Sequence, residues 1–342
     1  MNARQSVKIA PMEARLVEDL PADDGWQFEP KWDGFRCLVF RNDTDVELRG
    51  KTGKVLNRFF PDVVAAVKTF KSRHFIIDGE LVIVVEGVLS FSALQARLHP
   101  AESRVAMLSQ TQPAQFIAFD CLARGSKSLV SAPLSVRRTA LEALLQAAPA
   151  EILLSPYARD LQVAQKWLAK SGSALDGVIA KRLDGPYVAG ERAMLKVKRR
   201  QSADCLVAGF RYETDAKVVG SLLLGLYDDA GLLHHVGFTA ALGDQDRVKL
   251  TRQLKSLEGG PGFTGKAPGK SRWSTARTEE WIPLKPKLVV EISFDQVTDG
   301  RIRHGTRLLR WRLDKAPNQC TFDQLEPPAR PAEIAQLFGP HR

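Results

Sequence analysis

The chain has 342 residues, 44% of them hydrophobic, and carries a formal net charge of +10. That length allows two domains with real cores, and the composition excludes a disordered or fibrous chain. No stretch approaches the roughly 18 consecutive apolar residues of a membrane span, and the polar start from Met1 to Lys8 lacks a signal peptide's apolar core, so a cytoplasmic protein with no membrane partner is expected.

The first informative segment is Glu29-Pro30-Lys31-Trp32-Asp33-Gly34-Phe35-Arg36. It sets one lysine ahead of a glycine that lets backbone approach a ligand closely, and ahead of the apolar run Phe35 to Phe40, which reads as a buried strand. Lys31 is the candidate nucleophile. Further strands are predicted over Val46 to Arg49, Phe75 to Val85, Phe116 to Leu122 and Val178 to Lys181; Pro61 to Lys71, Ser135 to Ala147 and Leu161 to Lys170 show helical spacing of apolar residues. These elements describe a mixed α/β or α+β domain over residues 1–199. The junction Lys198-Arg199-Arg200-Gln201-Ser202 is charged and free of apolar anchors, which suits a hinge.

Beyond it, Cys205 to Arg211, Ser221 to Tyr227, Leu233 to Phe238 and Leu288 to Phe294 read as strands, with one helix over Gln245 to Leu257. Mostly strands plus one helix suits an OB-fold over residues 200–316. Gly259 to Ser271 reads as a loop, and the proline-containing tail, 317–342, is expected to pack loosely or fray.

Charge is uneven. From Lys266 to Lys315 there are twelve lysines and arginines against six acids, a net +6, which points to a polyanionic partner. Arg272, Arg277, Lys285 and Lys287 are the candidate phosphate contacts. Cys37, Cys121, Cys205 and Cys320 form no Cys-x-x-Cys pair and read as small core residues, and the six histidines show no metal spacing. Gly260 to Ala267 nearly spells a P-loop, but it ends in Ala instead of the hydroxyl that binds Mg²⁺, and no strand precedes it.

An ordinary lysine has a pKa near 10.4, so forming the free amine at pH 7 costs roughly 4.6 kcal/mol, and a nucleophilic lysine needs cationic neighbours. Lys196 and Lys198 supply them if their segment is a strand, because alternate residues face one way. Glu80 lies in a run of Ile, Leu and Val, where a carboxylate is costly unless it is paired or bound to metal.

Lys31-Trp32-Asp33-Gly34-Phe35-Arg36, Leu48-Arg49-Gly50, Asp78-Gly79-Glu80-Leu81, Phe119-Asp120, Asp176 to Lys181 and Lys196-Val197-Lys198 follow one another in a fixed order. In that series the chain resembles the covalent nucleotidyltransferases: ATP-dependent DNA ligases, RNA ligases and mRNA capping enzymes. Trp26 to Phe40, His99-Pro100, Leu175 to Tyr187 and Asp295 to Lys315 are similar to the small two-domain bacterial ATP-dependent DNA ligases of the C type. The likeness covers nearly all of residues 8–325.

The resemblance implies an α+β nucleotidyltransferase (adenylation) domain followed by an OB-fold β-barrel. It implies ATP as substrate, AMP carried on Lys31, Mg²⁺ or Mn²⁺, and sealing of nicked double-stranded DNA with 5′-phosphate and 3′-hydroxyl ends by a monomer. Work in DNA repair beside proteins such as a polymerase is expected. By the same likeness Glu29 reads the adenine amino group, Phe119 stacks on adenine, and Arg36 and Arg49 hold the ribose and the 5′-phosphate. Glu80 serves the ribose or the metal, Asp176 the metal, and Lys181 the nucleotide. Lys196 and Lys198 neutralise the α-phosphate, while Arg312 and Lys315, in Arg310 to Lys315, orient pyrophosphate. Most of the superfamily has Glu where this chain has Asp176, and the shorter side chain suits a water-bridged contact or Mn²⁺. The alternatives are an RNA ligase, a GTP-using capping enzyme, or an inactive nucleic-acid-binding module of the same fold.

Overall fold

A computed structural model of the chain describes residues 9–170, 175–198, 201–269, 280–298, 300–303 and 306–325. Arg272 and Arg277 lie outside the described residues. The chain divides into two compact units between Arg199 and Arg200. No helix among the described residues is long and apolar enough to cross a membrane.

The first unit holds two sheets. The larger runs in the order Asp45–Gly50, Phe35–Asn42, His74–Val85, Ala114–Arg124, Lys127–Ser128; Ile152–Leu154 adds in parallel to Ala114–Arg124. Its strands alternate. Cys37, Val39, Ile77, Leu81 and Phe116 point into a core closed by the helices Pro61–Lys68 and Leu134–Leu145, while Leu38 and Leu122 face the other way, against Met12, Tyr187 and Met194. Pro61–Lys68 starts on a proline whose missing N–H costs nothing there, and it buries Val63, Ala66 and Val67 at helical spacing.

The smaller sheet has the order Ala14–Leu16, Met194–Val197, Leu175–Arg182, Trp26–Trp32. Trp26–Trp32 carries Glu29 and Lys31, and its apolar/polar alternation is strict. Pro30 sits mid-strand, which argues against a central strand but is tolerated here at the sheet edge.

Gly34 is required by the fold itself. A Cβ there would meet the Leu81 carbonyl oxygen at 2.2 Å, so the residue is needed for close approach to a neighbouring strand.

The second unit is a barrel. Its strands run Leu233–Thr239, Val219–Tyr227, Gln201–Tyr212, Val289–Phe294, Arg307–Trp311, and Leu308 N donates to Ala241 O at 3.0 Å to bring the last strand round to the first. The helix Arg247–Lys255 is capped by Asp246, whose carboxylate accepts from Val248 N and Lys249 N, and it sends Leu250 and Leu254 into the core. These features are those of an OB-fold.

Residues 317–325 depart from the expected loose tail. Cys320 and Leu325 are buried in the barrel core, Tyr227 N donates to Cys320 O at 2.7 Å, and Gln324 bonds to both Asp204 N and Asp204 O. All four cysteines are buried and free.

Candidate active site

A cavity of about 220 Å³ opens in the first unit, walled by both sheets. Glu29, Lys31, Arg36, Glu80, Phe119, Lys181 and Lys196 all line it, so residues up to 167 positions apart meet. Met12 and Lys51 line it too, and nothing in their sequence context marked them.

Lys31 and Asp176 form an ion pair, and Lys198 Nζ reaches the other Asp176 oxygen at 3.1 Å. Asp176, expected at a metal, is held by two lysines. Lys196 lines the cavity, and burial, then Lys31 and Lys198, lower its pKa from the ordinary lysine value.

Glu29 is buried and accepts from Lys181 Nζ at 2.7 Å and from Gln27 Nε2 at 2.8 Å. Arg36 grips both oxygens of Asp78, at 2.7 and 2.6 Å, and donates to Met12 O at 3.2 Å. Tyr187 completes this network by donating to Asp78 at 2.6 Å and accepting from Met12 N at 2.8 Å. Burial works to lower the Arg36 pKa, but Asp78 outweighs it and raises the value. Arg36 is therefore a fixed piece of cavity wall.

Phe119 is buried to 7% exposure, with the Arg36 guanidinium 4.4 Å and the Lys181 ammonium 4.6 Å from its ring centre. Burial pushes the Glu80 carboxyl up to about 7, against the pull of Arg36 and Lys31.

Arg49 does not line the cavity. Its Nε donates to Glu47 at 2.6 Å and its guanidinium covers the Phe40 ring at 4.4 Å. In the second unit Arg312 Nη1 bonds to both oxygens of Asp204, at 2.9 and 2.8 Å, and Lys315 Nζ reaches Asp204 at 2.9 Å. Arg312 also grips Asp314, so its fork is engaged on two carboxylates. Lys285 and Lys287 are exposed on a loop anchored by Lys285 N to Leu257 O.

Residues 11–198 match the model of the ATP dependent DNA ligase domain, and residues 215–315 match that of the ATP dependent DNA ligase C terminal region. The chain belongs to the ATP-dependent DNA ligases. This ligase is 42% identical over 333 residues to DNA ligase C1 of Mycolicibacterium smegmatis, covering 94% of each chain. It is 39% identical over 339 residues to DNA ligase C of Mycobacterium tuberculosis, again covering 94% of each. It is also 30% identical to LigD of Mycobacterium bovis, a multifunctional non-homologous end joining protein, over 91% of this chain and 39% of that one.

Among solved structures, a Lig E DNA ligase superposes with a TM-score of 0.54 at 18% identity, covering 89% of this chain and 99% of the other. Pmar-Lig gives 0.59 at 17% identity over 88% and 68%. These two bear on the fold alone, and agree with an adenylation domain followed by an OB barrel. The ligase accordingly uses ATP to seal nicks in DNA, as the motif series implied.

Proposed function

We propose that Lys31 is the nucleophile of a three-step ligation. Its Nζ forms a bond to the α-phosphorus of ATP as the bond to pyrophosphate breaks. A 5′-phosphate oxygen of the nick then takes AMP from the lysine, and the adjacent 3′-hydroxyl attacks the 5′-phosphorus and releases AMP. The observation that carries this reading is the placement of Lys31 in the cavity, ion-paired to Asp176, with Lys196 beside it.

Asp176 aims the Lys31 amine and is placed to accept the proton it must lose before attack. Lys196 and Lys198 draw negative charge off the α-phosphate, and catalysis is mainly alignment and neutralisation. Glu29 and Lys181 fix the adenine edge, while Phe119 offers an aromatic surface stiffened by two cations.

Among the described residues no group of three or more His, Cys, Asp or Glu is gathered to hold a metal. Glu80 fits a divalent cation bound jointly with substrate phosphates, because a half-buried carboxylate whose charged form is disfavoured gains from a neighbouring cation. Such a Mg²⁺ or Mn²⁺ ion would neutralise phosphate charge. Arg49, Lys285, Lys287, Arg272 and Arg277 are assigned to DNA, and Arg312 and Lys315 to pyrophosphate.

The ligase would act as a monomer in the cytoplasm, on nicked nucleoid DNA, and serve repair beside a polymerase. The LigD relatives, described as end joining proteins, support the repair setting. The deciding experiment is peptide mass spectrometry after incubation with ATP or GTP. One AMP on Lys31, formed from ATP and discharged by nicked DNA, is expected; an adduct on another lysine overturns the assignment.

A further inference from the structure

Most enclosed arginines of this molecule have a carboxylate: Arg36 has Asp78, Arg97 has Asp62, Arg137 has Asp120 and Arg312 has Asp204. Two half-buried arginines of the OB barrel do not, and neither does exposed Arg303 beside them. Among the described residues Arg211, Arg301 and Arg303 form no ion pair, although Arg211 and Arg301 are half-buried. Arg211 Nε is buried without a hydrogen-bond partner.

The strands Gln201–Tyr212, Leu233–Thr239 and Arg301–Arg303 bring them together. Arg301 Nη2 donates to His235 Nδ1 at 3.1 Å, and the Arg211 guanidinium lies 5.8 Å from the Phe238 ring centre. Since a guanidinium can only donate, His235 Nδ1 must accept, and the ring orients Arg301 without neutralising it. Burial, then Arg301 and Arg211, push the His235 pKa down to about 3, so the histidine is uncharged. Burial lowers the pKa of both Arg211 and Arg301.

Desolvated positive charge without a counter-ion destabilises a fold. Such charge marks a site where a ligand supplies the anion. Phe238, 52% exposed beside Arg211, makes that ligand more than a small ion. We propose that Arg211 and Arg301, with Arg303 at the rim, hold a backbone phosphate of the duplex substrate, and that Phe238 packs on the adjoining deoxyribose. Arginine forks match phosphate oxygens, and an exposed ring beside them suits the sugar face of a groove. This rests on the ligase reading and adds a DNA contact apart from Lys285 and Lys287.

The test uses the full chain and a fluorescent nicked duplex, with anisotropy measured from about 50 to about 200 mM KCl. The double variant Arg211→Gln, Arg301→Gln should bind about tenfold more weakly at the low-salt end, with a log K against log salt slope shallower by about 0.9 for one lost phosphate. Phe238→Ala should weaken binding and leave the slope alone, since it removes no charge. The melting temperature of the double variant should stay level or rise, because an unpaired desolvated charge has gone.

An unchanged slope overturns the proposal. So does slower lysyl-AMP formation with unchanged DNA affinity, which would assign the cluster to a free polyphosphate such as ATP or pyrophosphate. A clear fall in melting temperature would show that the arginines hold the barrel instead. Failure of the unmodified chain to seal the nick would count against the ligase reading, whereas the salt slope would still report on the cluster.

Discussion

Asp176 meets Lys31 because its strand carries one residue more than the strand opposite. Leu175 pairs with Trp32 and Val178 with Pro30, so Asp176 and Gly177 together oppose the single residue Lys31. This is a β-bulge, a device that re-aims a side chain. Gly177 makes it possible: its φ is +134°, and a Cβ there would meet the Val197 carbonyl oxygen at 2.0 Å. Gly177→Ala should force Leu175–Arg182 away from Met194–Val197 and shift Asp176 off Lys31. The expected result is lysyl-AMP formation slowed by about 100-fold in a chain that still folds, as small misplacements can do. A wild-type rate, followed by quenched mass spectrometry, would remove the bulge from the mechanism.

Charge at position 31 should not suffice for activity. Lys31→Arg keeps a cation beside Asp176, but a guanidinium stays protonated at any usable pH and cannot attack phosphorus. Lys31→Arg should therefore form no more nucleotide adduct than Lys31→Ala, with both variants folded by circular dichroism. Labelled adduct on Lys31→Arg would sink the nucleophile assignment.

The large sheet was legible because its strands are apolar runs buried on both faces and its helices bury residues at helical spacing, as Cys37, Leu38, Val39 and Val63, Ala66, Val67 show. The strand of Lys31 itself was harder to see, since Pro30 keeps the alternation but cannot donate to a ladder, which only an edge position permits. The cavity residues were legible through motif order, which records which side chains must meet. Their partners were not. Arg36, Asp78, Tyr187 and Met12 form one network across 175 positions, and no local pattern ties a tyrosine to a carboxylate 109 residues away. Gly34 shows a related limit: a glycine reports close approach without saying what approaches, here the Leu81 carbonyl.

Stability should depend on pH through Glu80. Its folded pKa, about 7, lies above the ordinary glutamate value of 4.5, so between these values the native state holds a proton that the unfolded chain has lost. The contribution is fully present below pH 4.5 and is lost as pH rises through 7, at up to about 1.4 kcal/mol per pH unit. Glu80→Gln should flatten this limb. In metal-free, nucleotide-free buffer its melting temperature should exceed that of the wild type at pH 8 and match it near pH 4.5, while sealing activity is lost. Parallel melting curves for the two chains across that range would rule the account out.

Arg312 is the residue on which structure and motif pull apart. The motif assigns it to pyrophosphate, yet here it grips Asp204 and Asp314, and Lys315 shares Asp204. For Arg312 to reach a phosphate, its fork must leave at least one carboxylate, so Asp204 and the leaving group compete for the same cation. Two variants separate the roles. If Arg312 acts on pyrophosphate, Arg312→Ala should fail to form lysyl-AMP, yet seal a nick supplied already adenylylated, since that substrate has no pyrophosphate to release. Asp204→Asn should then keep or speed lysyl-AMP formation, because it frees the fork. If the cluster only holds the barrel together, both variants should lose stability together and fall equally on ATP with nicked DNA and on pre-adenylylated nicked DNA. A paired assay of each variant on the two substrates, with melting temperatures, decides between these outcomes. Equal loss on both substrates would assign Arg312 to the fold of the OB domain.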